Sequence, residues 1–600
     1  MNLKPKYTIA DSIKVPLECA PQWTILHFAL MLIHSVEPTL RLLATAIFID
    51  RALLLLNGGA AAGCLVWPVI SLALLLTVER VYDALRSLVN CQIQNIMRSS
   101  LREAIIRKRA SLLYPYMEDG KTWDLVVRVS NMAEVQFLYG MNAVTEIIGI
   151  CIISAGLLTV LLTNVWWAAV LIAVITIPMI RIAVKSGTTQ YQVDRELSKT
   201  TRKYEYYSSL LSGRESVNER TLFGYADYLM PQWETLYNDA RKKYMRSQAE
   251  WAKKSKVGGV IMSLFIILIA FAILPPVAAG TMTVGLYVAL VQAAAGMVQN
   301  IVNRLPGAVV TYTKFIEYCK DISAFSNLKD DAAYLDQPDN PVKAFQSLEF
   351  KSVRFAYPGT SKYILDGISF TIENGKHYAF VGINGAGKTT VIKLILGLYP
   401  EYEGQILVNG EDIGHMEPRQ RKALVSALFQ DFAQYPLTFE ENISIGDTVH
   451  AQDEAMRARV LEACSQIGLN QTIDALSDRM NTPLGRYTDN AQDLSGGQWQ
   501  RVAIARTIVS PAPIHILDEP TSAADPVSES ELYREFEEIS RGWTTIFISH
   551  RLGSTKLADK IFLIHDGKIA ESGTHEDLMR SGGMYSVMYE SQRSWYKWEN

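Results

Sequence analysis

The sequence predicts a membrane all-α domain of six transmembrane helices with long cytoplasmic extensions, followed by an α/β domain built around a phosphate loop. Three observations predict it. About six apolar segments of spanning length crowd the first half. A short apolar run at 378–381 ends in a Gly-rich turn at 382–387, and an apolar-periodic helix follows from Thr390. From about Phe345 onward, strand-like runs (LEFKSVRFAY, HYAFVG, QILVNG, IHILDE, TTIFISH, KIFLIHDGKIAESG) alternate with helical patterns, the signature of a sheet with helices packed against it.

Composition sets the outer limits. The chain has 600 residues, 49% of them hydrophobic, with a mean hydropathy of +0.08 that conceals the contrast between its halves. A formal net charge of −3 gives no footprint for nucleic acid, so no nucleic-acid partner is expected. The cysteines, Cys19, Cys64, Cys91, Cys151, Cys319 and Cys464, show no C-x-x-C spacing, which argues against a zinc site or a disulfide framework. The first residues are polar and lack an apolar h-region, so no cleaved signal peptide is expected.

In chain order, the first apolar segment covers about 23–49, roughly 40 Å as a helix and long enough to tilt or project. The second, about 60–78, carries Pro68 and is expected to kink. The third and fourth, about 144–162 and 165–184, are separated by Thr163 and Asn164 alone and read as a hairpin. The fifth and sixth lie within 257–303, a stretch without a charged residue, broken near Pro275 and Gly280. Lys and Arg crowd the connections 79–142 and 181–256 (among them Arg107, Lys108, Arg109, Lys242 and Lys243), which the positive-inside rule places in the cytoplasm together with both termini. Glu37 and Arg41 stand one helical turn apart in the first segment near His27 and His34, and Glu146 opens the third. Ionisable groups at such depth are cargo-pathway candidates, or else Glu37 and Arg41 simply pair with each other.

The cytoplasmic connections are helical in pattern and read as rods that project beyond the bilayer, broken near 115–131 and 209–229. Each break holds a short amphipathic stretch that reads either as a transverse helix or as a plain turn. The expected domain limits are 1–326 for the membrane domain, 327–344 for a polar linker with Pro338 and Pro341, and 345–600 for the α/β domain.

The chemistry sits in that last domain. In G-x-x-x-x-G-K-T, the glycines let backbone N–H groups converge on phosphates, Lys388 supplies a point charge, and the Thr389 hydroxyl reaches Mg²⁺. HILDEP is a strand ending in two acids: Asp518 is placed to hold Mg²⁺, and Glu519 to polarise water. Ser495, Gly496 and Gly497 at a helix start offer a second anion site. Gln430 and His550 end strand-like runs, where ligands gather in open α/β sheets.

These motifs resemble those of an ATP-binding cassette (ABC) exporter half-transporter: Walker A at GINGAGKTT, LSGGQ at 494–498, and Walker B through Asp518 with Glu519. The resemblance covers essentially the whole chain and makes the second half an α/β P-loop ATPase domain. It implies that Glu519 and His550 are catalytic. ATP would be held by Tyr357, Gly382, Asn384, Gly385, Ala386, Gly387, Lys388, Thr389, Thr390, Gln430, Ser495, Gly496, Gly497, Gln498 and Asp525, and Mg²⁺ by Thr389, Gln430 and Asp518. It implies a head-to-tail homodimer with two composite ATP sites, coupling helices at the two cytoplasmic breaks, and alternating access in a bacterial plasma membrane. GRESVNERTLFG and LGRYTDNAQDLSGGQWQ look most like the lantibiotic and peptide exporters, where many relatives carry a TEVGERG-like run instead. A peptide-like or amphipathic cargo is therefore expected, with membrane lipid around the protein and a peptide-modifying enzyme as a candidate partner. A lipid or multidrug exporter is the alternative, ahead of a non-transporting ATP-sensing regulatory subunit or a nucleic-acid-acting ATPase.

Overall fold

The computed structural model describes residues 3–596 except 60, 168–169, most of 171–199, 332–335, 339–344, 487–488, 519–538 and 549–553. The chain divides into two compact units, residues 1–110 with 121–328, and residues 111–120 with 329–600.

The first unit is helical. After α1 (Asp11–Cys19) and α2 (Pro21–Leu56), α3 (Val66–Ala110) runs unbroken for 45 residues, about 68 Å, so the second apolar segment continues directly into its polar rod. Pro68 does not kink it. The proline falls in the first turn of α3, where a backbone N–H has no intrahelical acceptor to lose. Two short helices follow, α4 (Tyr114–Glu118), which belongs to the second unit, and α5 (Gly120–Ser130). Next come α6 (Ala133–Asn164), α7 (Val217–Phe223) and α8 (Ala226–Ala278). The break after α8 is made by Gly280 at φ +72°, and α9 (Val284–Val298) starts with the Thr283 hydroxyl accepting from Leu286 N–H. Gly285 is needed there: its N–H donates to Asp50 at 2.7 Å, and a Cβ would sit 2.2 Å from the Ala46 carbonyl of α2. A π-helical turn, Gln299–Arg304, joins α9 to α10 (Leu305–Ser326). It widens just before Pro306, which has no N–H to return to the preceding turn.

Among the described residues, three helical stretches are long and apolar enough to cross a membrane: Ala62–Ala110, Ala133–Asn164 and Val284–Ser326. Ile266–Ala278 is a shorter apolar stretch within α8. Helix α2 has the length of a span but carries Glu37, Arg41, Asp50 and Arg51. Most of the expected fourth segment lies outside the described residues.

The second unit is α/β. Strands β1 (Ser347–Phe355), β2 (Leu365–Glu373), β4 (Glu403–Val408) and β5 (Glu411–Asp412) form an antiparallel sheet in the order β2-β1-β4-β5. A six-stranded sheet, ordered β10-β9-β3-β8-β7-β6, contains β3 (His377–Val381), β6 (Val425–Leu428), β7 (Ile514–Asp518), β8 (Thr544–Ile548), β9 (Lys560–His565) and β10 (Lys568–Gly573). All of its neighbours pair in parallel except β9 with β10. Every residue of β3, β7 and β8 is buried, as expected of parallel strands covered on both faces. Strand β2 is absent from the sequence-predicted set, although Leu365, Ile368, Phe370 and Ile372 are its buried positions.

Candidate functional site

The phosphate loop is a strand-turn-helix. It leaves the fully buried β3, turns through Gly382–Gly387 and enters α11 (Lys388–Ile395). Gly382, Gly385 and Gly387 have φ of +151°, +80° and +105°. At Gly382 the conformation is enforced by contact, because a Cβ would lie 2.3 Å from the Ile564 carbonyl. The Lys388 ammonium folds back over the loop, donating to the Gly382 carbonyl at 2.9 Å and the Ile383 carbonyl at 3.1 Å. Asn384, Gly385 and Thr389 are exposed, whereas Ala386, Gly387, Lys388 and Thr390 are buried.

Strand register gathers the other groups on the same edge. Phe380 of β3 pairs with Ile548 of β8, Ile548 with Asp518 of β7, and Leu517 with Leu428 of β6. The C-terminal ends of four adjacent parallel strands therefore align. At about 4.8 Å per strand, Asp518 lies about 10 Å across the sheet from the start of the phosphate loop. Asp518 is 6% exposed, and Gln430, two residues past β6, is exposed. Glu519, Asp525 and His550, named from the sequence, lie outside the described residues. Thr389, Gln430 and Asp518 offer hydroxyl, amide and carboxylate oxygens, a hard donor set that fits Mg²⁺.

Tyr357 stands beside the loop. Its hydroxyl lies 3.0 Å from Thr390 Oγ1, and its ring meets Phe355 and Tyr399 edge-on at 5.1 and 5.4 Å. Next to it is a cluster that sequence reasoning missed. Glu118 of α4 accepts from Tyr114 at 2.8 Å, from Lys393 at 2.5 Å and from the Tyr399 hydroxyl. The Lys393 ammonium lies 5.4 Å from the Tyr114 ring centre and 5.6 Å from that of Tyr357. Burial alone would raise the Glu118 pKa, but the hydrogen bonds from Lys393, Tyr399 and Tyr114 outweigh it and hold the carboxyl below its ordinary range. The Lys393 ammonium is correspondingly raised, against a burial penalty. The only sequence trace of Glu118 is an E-D-G that reads as a turn.

Helix α12 (Gly496–Val509) begins at Ser495, the N-cap. Ser495 Oγ accepts from Gln498 N–H at 3.3 Å, and Gln498 Oε1 accepts from Ser495 N–H at 2.9 Å, a reciprocal capping box. Ser495, Gly496 and Gly497 are exposed, leaving a presented helix N-terminus. Trp499, 2% exposed, donates from its ring N–H to Asp493 at 2.9 Å and anchors the turn before the helix. That bond holds the Asp493 carboxyl below its ordinary range, against burial and with help from Arg486.

In the first unit, Glu37 and Arg41 are indeed neighbours, with Arg41 Nε 3.2 Å from Glu37 Oε1, but Arg41 also binds Glu79 of α3. Glu146 is met by Arg304 at 2.6 Å and Arg86 at 3.7 Å. His27 lies 3.2 Å from Thr145 Oγ1, and His34 stacks on Tyr82 with ring centres 3.9 Å apart.

Residues 365–522 match the ABC transporter family. The subtilin transport ATP-binding protein SpaT of Bacillus subtilis is 29% identical over 506 residues, 82% of this chain and 79% of the relative. The nisin transport ATP-binding protein NisT of Lactococcus lactis subsp. lactis is 27% identical over 529 residues, 86% of each. A solved bacterial Atm1-family ABC exporter with ATP bound superposes with a TM-score of 0.75 at 23% identity, over 95% of this chain and 98% of the other.

The second half of the chain contains an ABC transporter domain, and the whole chain has the fold of an ABC exporter. It is a membrane protein whose second half is an ATP-binding, ATP-hydrolysing cassette, and the phosphate loop of the exporter lies inside the matched stretch. The exporter joins membrane and cassette units in a single chain.

Proposed function

We propose that the exporter moves a peptide-like cargo out of a bacterial cytoplasm as a homodimer, with both cassettes on the cytoplasmic face and a peptide-modifying enzyme supplying the cargo. The observation that carries this is its similarity, over more than four fifths of its own length, to proteins named for subtilin and nisin transport. The charged connections between spans support the orientation.

In this mechanism each ATP lies between the phosphate loop of one chain and Ser495–Gln498 of the other. Lys388 neutralises charge on the β- and γ-phosphates while the backbone N–H groups of 382–389 hold them, and the Tyr357 ring stacks on adenine. Mg²⁺, held by Thr389, Gln430 and Asp518, would neutralise phosphate charge. Glu519 orients the attacking water, His550 senses the γ-phosphate, and Asp525 supports the ATP site. Closing the cassettes on ATP drives the transverse helices near 115–131 and 209–229, the membrane helices open outward, and hydrolysis resets them. Glu37, Arg41 and Glu146 lie along the cargo pathway.

The test compares secreted peptides by mass spectrometry in cells carrying the native chain or Glu519→Gln. A modified peptide should disappear from the medium and accumulate inside with the variant. An unchanged peptide profile would refute the proposal.

A further inference from the structure

The first unit contains a cavity of about 520 Å³ between α2, α3, α6 and the α9–α10 segment. Among its lining groups are Glu37, Arg41, Glu79, Gln292, Asn300 and Arg304. Two of these, Asn300 and Arg304, come from the π-helical turn, and such turns recur where a helix must present side chains to a ligand.

Its charges are unevenly matched. Glu37 and Glu79 share one guanidinium, Arg41, while Glu146 behind the cavity holds two, Arg304 and Arg86. Within these ion pairs Glu37 and Glu79 have one cation between them. The Glu37 side chain is 2% exposed, and its two carboxylate oxygens both lack a hydrogen-bond donor. The nearby Arg41 Nε provides charge but not hydrogen-bonding geometry. A buried carboxylate without donors is costly, and in a membrane segment such a group marks a ligand or ion path.

We propose that this cavity is a binding site for an alkylammonium group on the cargo, with Glu37 as its acceptor. It rests on the exporter having a cargo pathway through this unit and names the chemistry that pathway selects. The cavity is far larger than one ion needs and falls within the range of organic-ligand sites. Leu42, Ile153 and Leu157 supply apolar wall for the methylenes of a lysine-like chain, and Glu37 receives its ammonium. The same chemistry is carried by an aminophospholipid headgroup, so the two sources must be separated by experiment.

The full-length exporter is reconstituted in phosphatidylcholine vesicles, and the half-maximal concentration for ATPase stimulation is measured with a lysine-bearing amphipathic peptide and its fully acetylated form. A parallel set of vesicles contains phosphatidylethanolamine and no peptide. The free-amine peptide should act at about tenfold lower concentration than the acetylated one, the ratio given by about 1.4 kcal/mol. Glu37→Gln should erase that ratio. Arg41→Gln, which removes the competing cation, should enlarge it, an outcome that a merely structural role does not produce, and this variant decides alone if Glu37→Gln does not fold. Glu37-dependent stimulation by phosphatidylethanolamine without a peptide effect would keep the site and assign it to lipid, overturning the peptide cargo. Equal action of both peptide forms would overturn the ammonium site while leaving peptide export standing. An amine preference surviving Glu37→Gln would overturn the assignment to Glu37. Silence of every probe would overturn both.

Discussion

Replacing Glu118 by Gln keeps the shape of the side chain and one acceptor oxygen but removes the charge on which Tyr114, Lys393 and Tyr399 converge. A hydrogen bond to a charged group is worth about 1.5–3 kcal/mol. Side-chain exposure is 37% for Glu118 and 17% for Lys393, so solvent screening reduces the Glu118–Lys393 term to about 1–2 kcal/mol. A double-mutant cycle with Glu118→Gln and Lys393→Met isolates that pairwise term. The readout is amide hydrogen exchange in α4, where Tyr116 N–H is bonded to Leu113 and Asp119 N–H to Pro115. Local opening free energies remain meaningful in a protein of two units, where a single global unfolding energy does not. Each single variant should speed exchange of these amides about 5–30-fold, and the double variant should add little further. Additive effects, with a coupling energy below about 0.3 kcal/mol, would show that the carboxylate and the ammonium do not act as a pair. Acid should reproduce the variant. The folded Glu118 pKa is depressed, so its contribution is present above the ordinary carboxylate range and is lost as pH falls through the folded value.

Two further outcomes follow from the cassette. Gly382→Ala puts a Cβ 2.3 Å from the Ile564 carbonyl at φ +151°, whereas Gly385→Ala meets nothing within 4 Å and bears only its φ of +80°. Gly382→Ala should cost about 2–3 kcal/mol and displace a carbonyl that holds Lys388, and Gly385→Ala about 1 kcal/mol; thermal unfolding and ATP titration of the two variants check this, and equal losses would refute it. His515 of β7 is 3% exposed and stacked on Trp543, and burial pushes its pKa down to about 4. Between about pH 6.5 and 4 the unfolded chain binds the proton that the folded one refuses, so cassette stability should fall with acid by up to about 1.4 kcal/mol per pH unit from this residue. His515→Phe, which keeps a ring against Trp543, should flatten that part of the thermal-unfolding pH profile, and an unchanged slope would exclude His515 as its source.

What was legible in the sequence was local. The phosphate loop could be read because strand, glycines, lysine and helix fall within a few turns of chain, and the hydrophobic period changes across them. The break at Gly280 and the helix end at Asn164 were legible for the same reason. Pro68 misled because its effect depends on where the helix starts, and α3 starts only two residues earlier. Strand β2 was passed over although its alternation was present, since Gly367 interrupts it. The S-x-x-Q of the signature is itself a capping box, so Ser495 has a structural duty alongside its proposed one. Long-range pairs left no trace. Nothing near Arg41 announces Glu79, 38 residues on, and nothing near Glu118 announces Lys393. The π turn at Gln299–Arg304 is likewise invisible to a period count, because a single widened turn re-aims side chains without altering composition.

The grouping of residues 111–120 with the cassette bears on how the protein is made. Lys393 follows Glu118 by 275 residues and Tyr399 follows it by 281. At about 5–20 residues per second of synthesis, Glu118 leaves the ribosome roughly 14–55 s before the lysine that neutralises it. During that interval the rest of the membrane half is translated and inserted while Tyr114 and Glu118 wait without their partners. The contacts of Glu118 with Lys393 and Tyr399 therefore join segments made far apart in time, and they form only once the cassette end of the phosphate-loop helix has been synthesised.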